Sequence, residues 1–188
     1  TNSATGDITN SGTMGSGTND GTFTNSGTVG DVTNTGTMDN NGGTAGAVTN
    51  SGTFTNWVNS IVASITNTGT ATNNGTVTGS VTNTSGTFTN AGTTGNWTNS
   101  DTINNTGTMG DGTNNSGATF TNDGTLGSVT NDGTFANNAT GTTGAFSNTG
   151  TLTNAGTLAS LTNTGTVTNT GTITGSVTNT SGTFTNSG

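Results

Sequence analysis

Leu161, Val167 and Ile173 stand six residues apart, with Thr-Asn-Thr-Gly-Thr filling each gap, and the cycle restarts at Val177. Six is even, so in an extended chain, whose side chains alternate between two faces, all three can point the same way. On a helix they would fall on nearly opposite sides, and Thr, Asn and Gly are poor helix formers. The Gly of each Asn-x-Gly triplet supplies the backbone freedom that a sharp corner needs. The repeating object is therefore strand, corner, strand, corner, strand, corner: one coil.

Coils open at the residue before each Thr-Asn pair: Gly17, Val32, Val48, Ile65, Val81, Trp97, Gly112, Val129, Phe146 (where Ser-Asn follows), Leu161 and Val177, so successive starts lie 15 to 17 residues apart. A repeat of that size is one turn of a narrow solenoid. The expected fold is all-β, a parallel β-solenoid (β-helix) of about 12 coils of 15–17 residues with three short strands per coil. A longer period lies above this one. Residues 66–92 recur at 162–188, a shift of 96, and Thr13-Met14-Gly15 recurs as Thr108-Met109-Gly110. The expected organisation is a single continuous solenoid over residues 1–188 built from two six-coil blocks, about 1–96 and 97–188. No signal peptide precedes Thr1 and neither end carries a polar cap, so the sequence reads as a segment of a longer one.

Only 23% of the residues are hydrophobic, which taken alone would suggest disorder. Periodicity overrules composition, because three apolar positions per coil form a continuous interior stripe. Alternation places Phe23, Phe54, Phe88, Phe120, Phe135 and Phe184 in one inward column, and turns inward the Asn that precedes each corner. Asn25, Asn56, Asn90, Asn122, Asn154, Asn169 and Asn186 should then form a ladder, and Asn163 and Asn179 belong to the same type. Identical amides stacked coil on coil can satisfy one another and the corner backbone. Gly17 and Gly112 stand at inward positions, and Trp97, one coil before Gly112, can lean into the missing volume. Ala45 and Thr94 weaken a third inward column. In the fourth coil, counting the incomplete first one, the x-Gly corner is replaced by Trp57-Val58-Asn59, followed by Ser60-Ile61-Val62. With Ile61 placed inside, Trp57, Val58 and Val62 are the candidate exposed apolar contact with a partner.

Chemistry is restricted by what the sequence lacks. There is no His, Cys, Lys, Arg, Tyr or Glu, and eight Asp carry the whole net charge of −8. No Asp stands with a second type of catalytic group, so these read as solvated turn residues and no enzyme is expected. Gly6-Asp7, Gly30-Asp31 and Gly110-Asp111 are reminiscent of calcium-binding nonapeptide coils, but the Gly-Gly-x-Gly-x-Asp run is missing. No cofactor is expected, with weak surface calcium at Asp as the open alternative. Phosphate backbones would be repelled, so nucleic acid is not an expected partner, and nothing in the pattern inserts into a membrane.

The runs VTNTSGTFTN at 81–90 and LTNTGTVTN at 161–169 resemble the Thr-, Asn- and Gly-rich repeats of large bacterial surface exoproteins, the autotransporter passengers and filamentous-haemagglutinin-like adhesins. The resemblance covers the whole sequence and implies a secreted or cell-surface solenoid used for adhesion or as a fibre. The expected function is a non-enzymatic extracellular structural protein, a segment of a surface fibre, filament or adhesin stalk, whose partners are copies of itself end to end or side by side. An alternative is an ice-binding solenoid, since Thr-x-Thr with its middle residue inward recurs at Thr22/Thr24, Thr53/Thr55, Thr70/Thr72, Thr87/Thr89, Thr119/Thr121, Thr151/Thr153, Thr166/Thr168 and Thr183/Thr185. Asp7, Asp39, Asn104 and Ala136 interrupt those ranks. A second alternative is a solenoid that binds host or matrix polysaccharide.

Overall fold

A computed structural model describes residues 1–188, and every regular element in it is a β-strand. The protein is a parallel β-solenoid. It divides into two compact units, Thr1–Gly95 and Asn96–Gly188. In the first unit, strands Asp7–Asn10, Thr22–Asn25, Thr37–Asn40, Thr53–Asn56, Thr70–Asn73 and Thr87–Asn90 stack in parallel as one face. In the second, Thr102–Asn105, Thr119–Asn122, Thr134–Asn137, Thr151–Asn154, Thr166–Asn169 and Thr183–Asn186 do the same. Two further faces complete each coil: a short second face of the type Thr28–Val29 and a third of the type Val32–Asn34.

Within each unit the registers are in phase, apolar over apolar and Asn over Asn, as in Phe23↔Met38 and Asn25↔Asn40. Even spacing thus does what alternation requires. The first-face interior runs Phe23, Met38, Phe54, Ala71, Phe88 in the first unit and Ile103, Phe120, Phe135, Leu152, Val167 in the second, all buried. Phe184 continues the column half-buried. Small Ala71 sits between Phe54 and Phe88, so volume is shared between coils rather than filled coil by coil.

Two corners per coil are built on Asn. In each unit the amide Nδ2 donates to Oδ1 of the equivalent Asn one coil on, as in Asn10 to Asn25 (2.8 Å), Asn25 to Asn40 (2.8 Å) and Asn40 to Asn56 (2.9 Å). A parallel ladder at the other corner runs Asn19 to Asn34 to Asn50, each step 2.7 Å. The same Nδ2 also reaches two carbonyls: Asn34 donates to Gly36 O of its own corner (3.1 Å) and Thr53 O of the next coil (2.8 Å). No buried side-chain nitrogen or oxygen lacks a partner.

The third side is not a corner of the same kind. In the coils containing Thr44–Asn50, Ile61–Asn67, Thr142–Asn148 and Thr157–Asn163, the second and third faces run together as one seven-residue strand with a shallow bend. The three equivalent corners expected from the sequence are therefore two corners and a bend. The Gly of Asn-x-Gly also has another reason for being there. Positive φ occurs only at Gly42, Gly86, Gly117 and Gly182 among the glycines. At Gly36 or Gly52 a Cβ would instead overlap the Gly carbonyl oxygen of the preceding coil, so the residue is required by the close approach of stacked corners.

Val62 corrects the expectation for the Trp57 coil. It is fully buried at 0% exposure, paired in register with Ala45 and Val77, while Ile61 takes the outward Thr position opposite Thr44 and Thr76 and is 43% exposed. The corner at residues 57–60 is two residues longer than x-Gly and is closed by a Ser60 N–H bond to Trp57 O (3.1 Å), with Asn59 at φ 65°. Residues 3–6, 115–118 and 138–141 form similar four-residue corners, each closed by the same i to i+3 bond. Alternation counted back from Ile65 gives the wrong face, because Val62-Ala63-Ser64-Ile65 repeats the odd inward spacing of Leu158-Ala159-Ser160-Leu161 across the bend.

Trp97 does fill the gap left by Gly112. The two are paired in register, a Cβ on Gly112 would collide with the indole, and Nε1 donates to Gly110 O at 3.0 Å. The ring packs 4.5 Å from Phe120, which stacks at 4.9 Å on Phe135. Gly17 has no such cover, since nothing lies within 4 Å of the position its Cβ would take. Gly112→Val is therefore expected to cost about 1–3 kcal/mol by overpacking. Gly17→Val should be neutral or stabilising by up to about 1 kcal/mol, because it removes a flexible strand glycine. Urea unfolding of the two variants, monitored by circular dichroism, checks the contrast.

The ladder generates its own test. Asn154 lies between Asn137 and Asn169, accepting from one at 2.7 Å and donating to the other at 2.6 Å, whereas Thr153 faces out. Asn154→Leu is expected to cost about 2–4 kcal/mol, since it strands amides above and below as well as the corner carbonyls. Thr153→Leu should stay within about 0.5 kcal/mol. Equal melting temperatures for the two would count against the ladder as a source of stability.

Candidate functional site

Outward side chains fall into four groups, each a candidate site. The first is the Thr ranks on the first face. Thr53, Thr70 and Thr87 stand in register, as do Thr55, Thr72 and Thr89. In the second unit Thr151, Thr166 and Thr183 form one rank and Thr153, Thr168 and Thr185 the other. Thr22 and Thr24 are aligned with Thr37 and Asp39, so the rank of Thr24 breaks at once while that of Thr22 runs on through Thr37 to Thr53. The structure thus gathers twelve of the sixteen singled-out Thr into two arrays of three coils each in which both ranks are unbroken. Interruptions fall at matching coils, Asp39 in one unit and Ala136 in the other.

The second group is the apolar patch. Trp57 and Val58 are 45% and 62% exposed, and Ile61 joins them in place of Val62. The indole leans over the preceding coil, where Nε1 donates to Asp39 Oδ1 at 3.2 Å. This fixes the ring's orientation while leaving almost half of it in water.

The carboxylates form the third group, and they are spoken for. Asp31 Oδ1 accepts from Ala47 N (2.9 Å) and Asp111 Oδ1 from Ser128 N (2.7 Å), each across one coil at the shallow bend. Gly46 and Gly127 lie opposite, where a Cβ would collide with those same oxygens. Asp20 and Asp132 accept from Thr35 and Thr149 hydroxyls at 2.7 and 2.6 Å, and both oxygens of Asp123 accept from Asn138 at 2.9 Å. These Asp therefore bridge coils, while Asp20, Asp31, Asp111 and Asp132 stay exposed to solvent as expected from the sequence. The signal for the bridging was the Gly one coil after two of the three Gly-Asp pairs, Gly46 after Asp31 and Gly127 after Asp111. No group of three or more Asp comes together as a metal ligand set.

The last candidate is a shallow trough of about 510 Å³ along the bend of the second unit, reaching from Trp97 past Thr113, Thr130 and Ser147 to Thr162. Hydroxyls line it, and Asp111 is its one carboxylate. A lone carboxylate already bonded to backbone offers no partner for acid–base work. No helix is long and apolar enough to cross a membrane.

If the bend carboxylates bridge coils, Asp111→Ala should lower stability by about 1–2 kcal/mol, leaving the Ser128 N–H without its acceptor. Asp7→Ala, on the exposed first-face strand, should change it by less than about 0.5 kcal/mol. Thermal unfolding of both variants distinguishes these outcomes.

Comparison with known proteins finds no matching family model, no matching curated protein and no matching solved structure.

Proposed function

We propose that this protein is a non-enzymatic structural segment of an extracellular or cell-surface fibre, of the kind that forms a filament or an adhesin stalk. The observation that carries the reading is the allocation of its polar groups. Asn amides are used up in the ladders and most carboxylates in bridges between coils, so the side chains left outward are mainly repeated Thr and Ser hydroxyls. Such a surface is compatible with water and with strands, and it converges on no reacting centre. The lack of Lys and Arg removes every trypsin-type cleavage site and the lack of Cys removes redox dependence, both suited to life outside a cell. Partners in this reading are copies of the protein itself, with Trp57, Val58 and Ile61 as the lateral contact.

A second reading, ice binding, is favoured by one observation: the two unbroken Thr arrays, each presenting hydroxyl and methyl groups at the regular spacing of a parallel sheet. Electron microscopy of the native material tests the first reading and is expected to show continuous filaments or stalks; isolated globular particles would refute it. Thermal hysteresis tests the second. A freezing-point gap that disappears in Thr166→Leu would move the assignment to ice.

A further inference from the structure

Each ladder Asn is followed by one outward residue before the corner turns, as in Asn34-Thr35-Gly36 and Asn50-Ser51-Gly52. Asn directly before Gly occurs twice, at Asn41-Gly42 and Asn74-Gly75, in both cases as the outward residue after a ladder Asn. That dipeptide has a chemistry of its own. The Gly backbone nitrogen, on losing its proton, can attack the Asn Cγ. An N–Cγ bond forms, the Cγ–Nδ2 bond breaks and ammonia leaves. Water then opens the resulting succinimide at either carbonyl, giving an aspartyl or an isoaspartyl residue. A Gly nitrogen is the best placed to do this because no Cβ hinders its approach.

The two sites differ in the room they have. Both Asn are anchored alike, Asn41 N donating to Asn25 O and Asn74 N to Asn56 O, each at 2.7 Å. Gly42 is exposed, holds φ +79° and has nothing within 4 Å of the position its Cβ would take. Gly75 is wedged against the preceding corner, where that position overlaps the Trp57 and Ser60 carbonyl oxygens. Its own carbonyl accepts from Thr93 N at 2.9 Å and from Asn73 Nδ2 at 3.3 Å. Closing the five-membered ring swings the Asn–Gly peptide plane, and only at Gly42 is there open space for it.

We propose that Asn41 is the site of spontaneous deamidation in this protein, with Asn74 protected by the stacked Trp57 corner and the ladder Asn protected by their spacing from Gly. The buried Ser60 hydroxyl acts as a brake, since Gly42 N donates to Ser60 Oγ at 2.7 Å and the reaction requires that proton to leave. Modification places a carboxylate one residue from the ladder, in a protein that has no Lys or Arg to neutralise it.

The test incubates the folded protein at mildly alkaline pH, then denatures it and digests it with chymotrypsin. Cleavage after Met38, Phe54, Trp57 and Phe88 gives peptides 39–54 and 58–88. Mass spectrometry with enzymatic isoaspartyl labelling reads each Asn. Conversion at Asn41 is expected to be at least about tenfold faster than at Asn74, the ratio set by about 1.4 kcal/mol of additional barrier. In urea the two rates should converge, and Ser60→Ala should raise the folded rate at Asn41. Equal rates at Asn41 and Asn74 in the folded protein, or conversion at Asn40 or Asn50 ahead of Asn41, would overturn the proposal. An unchanged Asn41 rate in a folded Ser60→Ala variant would remove the brake.

Discussion

A buried primary amide has two donor hydrogens and an acceptor oxygen to satisfy, and a copy of itself one coil away is the partner that leaves least unpaired. Asn34 shows the arrangement in full, bonded to Asn50 Oδ1, to Gly36 O in its own corner and to Thr53 O in the next coil. Each bond contributes only about 1 kcal/mol net, but an unpaired member costs roughly 1–3 kcal/mol, so the ladder tolerates no gaps. The constraint passes to the whole coil. If Asn must lie over Asn, then the strands before and after must be in phase, and the apolar column follows from alternation.

Close stacking of the amides brings the corner backbones together, and there Gly becomes obligatory for want of space rather than for its φ. The same stacking lets the interior be modest. Ala71 between Phe54 and Phe88, and Gly112 under Trp97, show large side chains of one coil serving their smaller neighbours. A protein with 23% hydrophobic residues can close a core because every one of these inward residues is shared by two neighbouring coils.

Spacing makes the coils, the phase of the columns and the ladders legible in the sequence, since all three depend only on which positions repeat. What stays hidden depends on local backbone path. Val62 reads as a surface residue because alternation counted back from Ile65 puts Ile61 inside, whereas the strand bends at Ala63-Ser64 and its inward spacing there is three rather than two. The shallow bend is hidden for a related reason: Ala47 and Ser64 look like corner residues until the strand is seen to run through them. The bridging role of Asp31 and Asp111 cannot be read from either residue alone, because it exists only between a carboxylate and the glycine stacked on it. Of the candidate contacts, Trp57 and Val58 are legible as a departure from pattern, whereas Ile61 requires the register.

Within each unit the ladders run one way, the earlier coil always donating Nδ2 to the later coil's Oδ1. Partial coils cannot be added to such a stack without breaking the donor–acceptor sequence, but whole coils can. Length variation must therefore be absorbed where no ladder passes, and the ladder-to-ladder separation indeed ranges from 15 to 17 residues while the donor–acceptor geometry is unchanged. The surplus residues emerge at outward corners such as 57–60 and 115–118. These are the positions at which the molecule can alter its surface without altering its stack, and its largest exposed apolar side group, the Trp57 indole, stands at one of them.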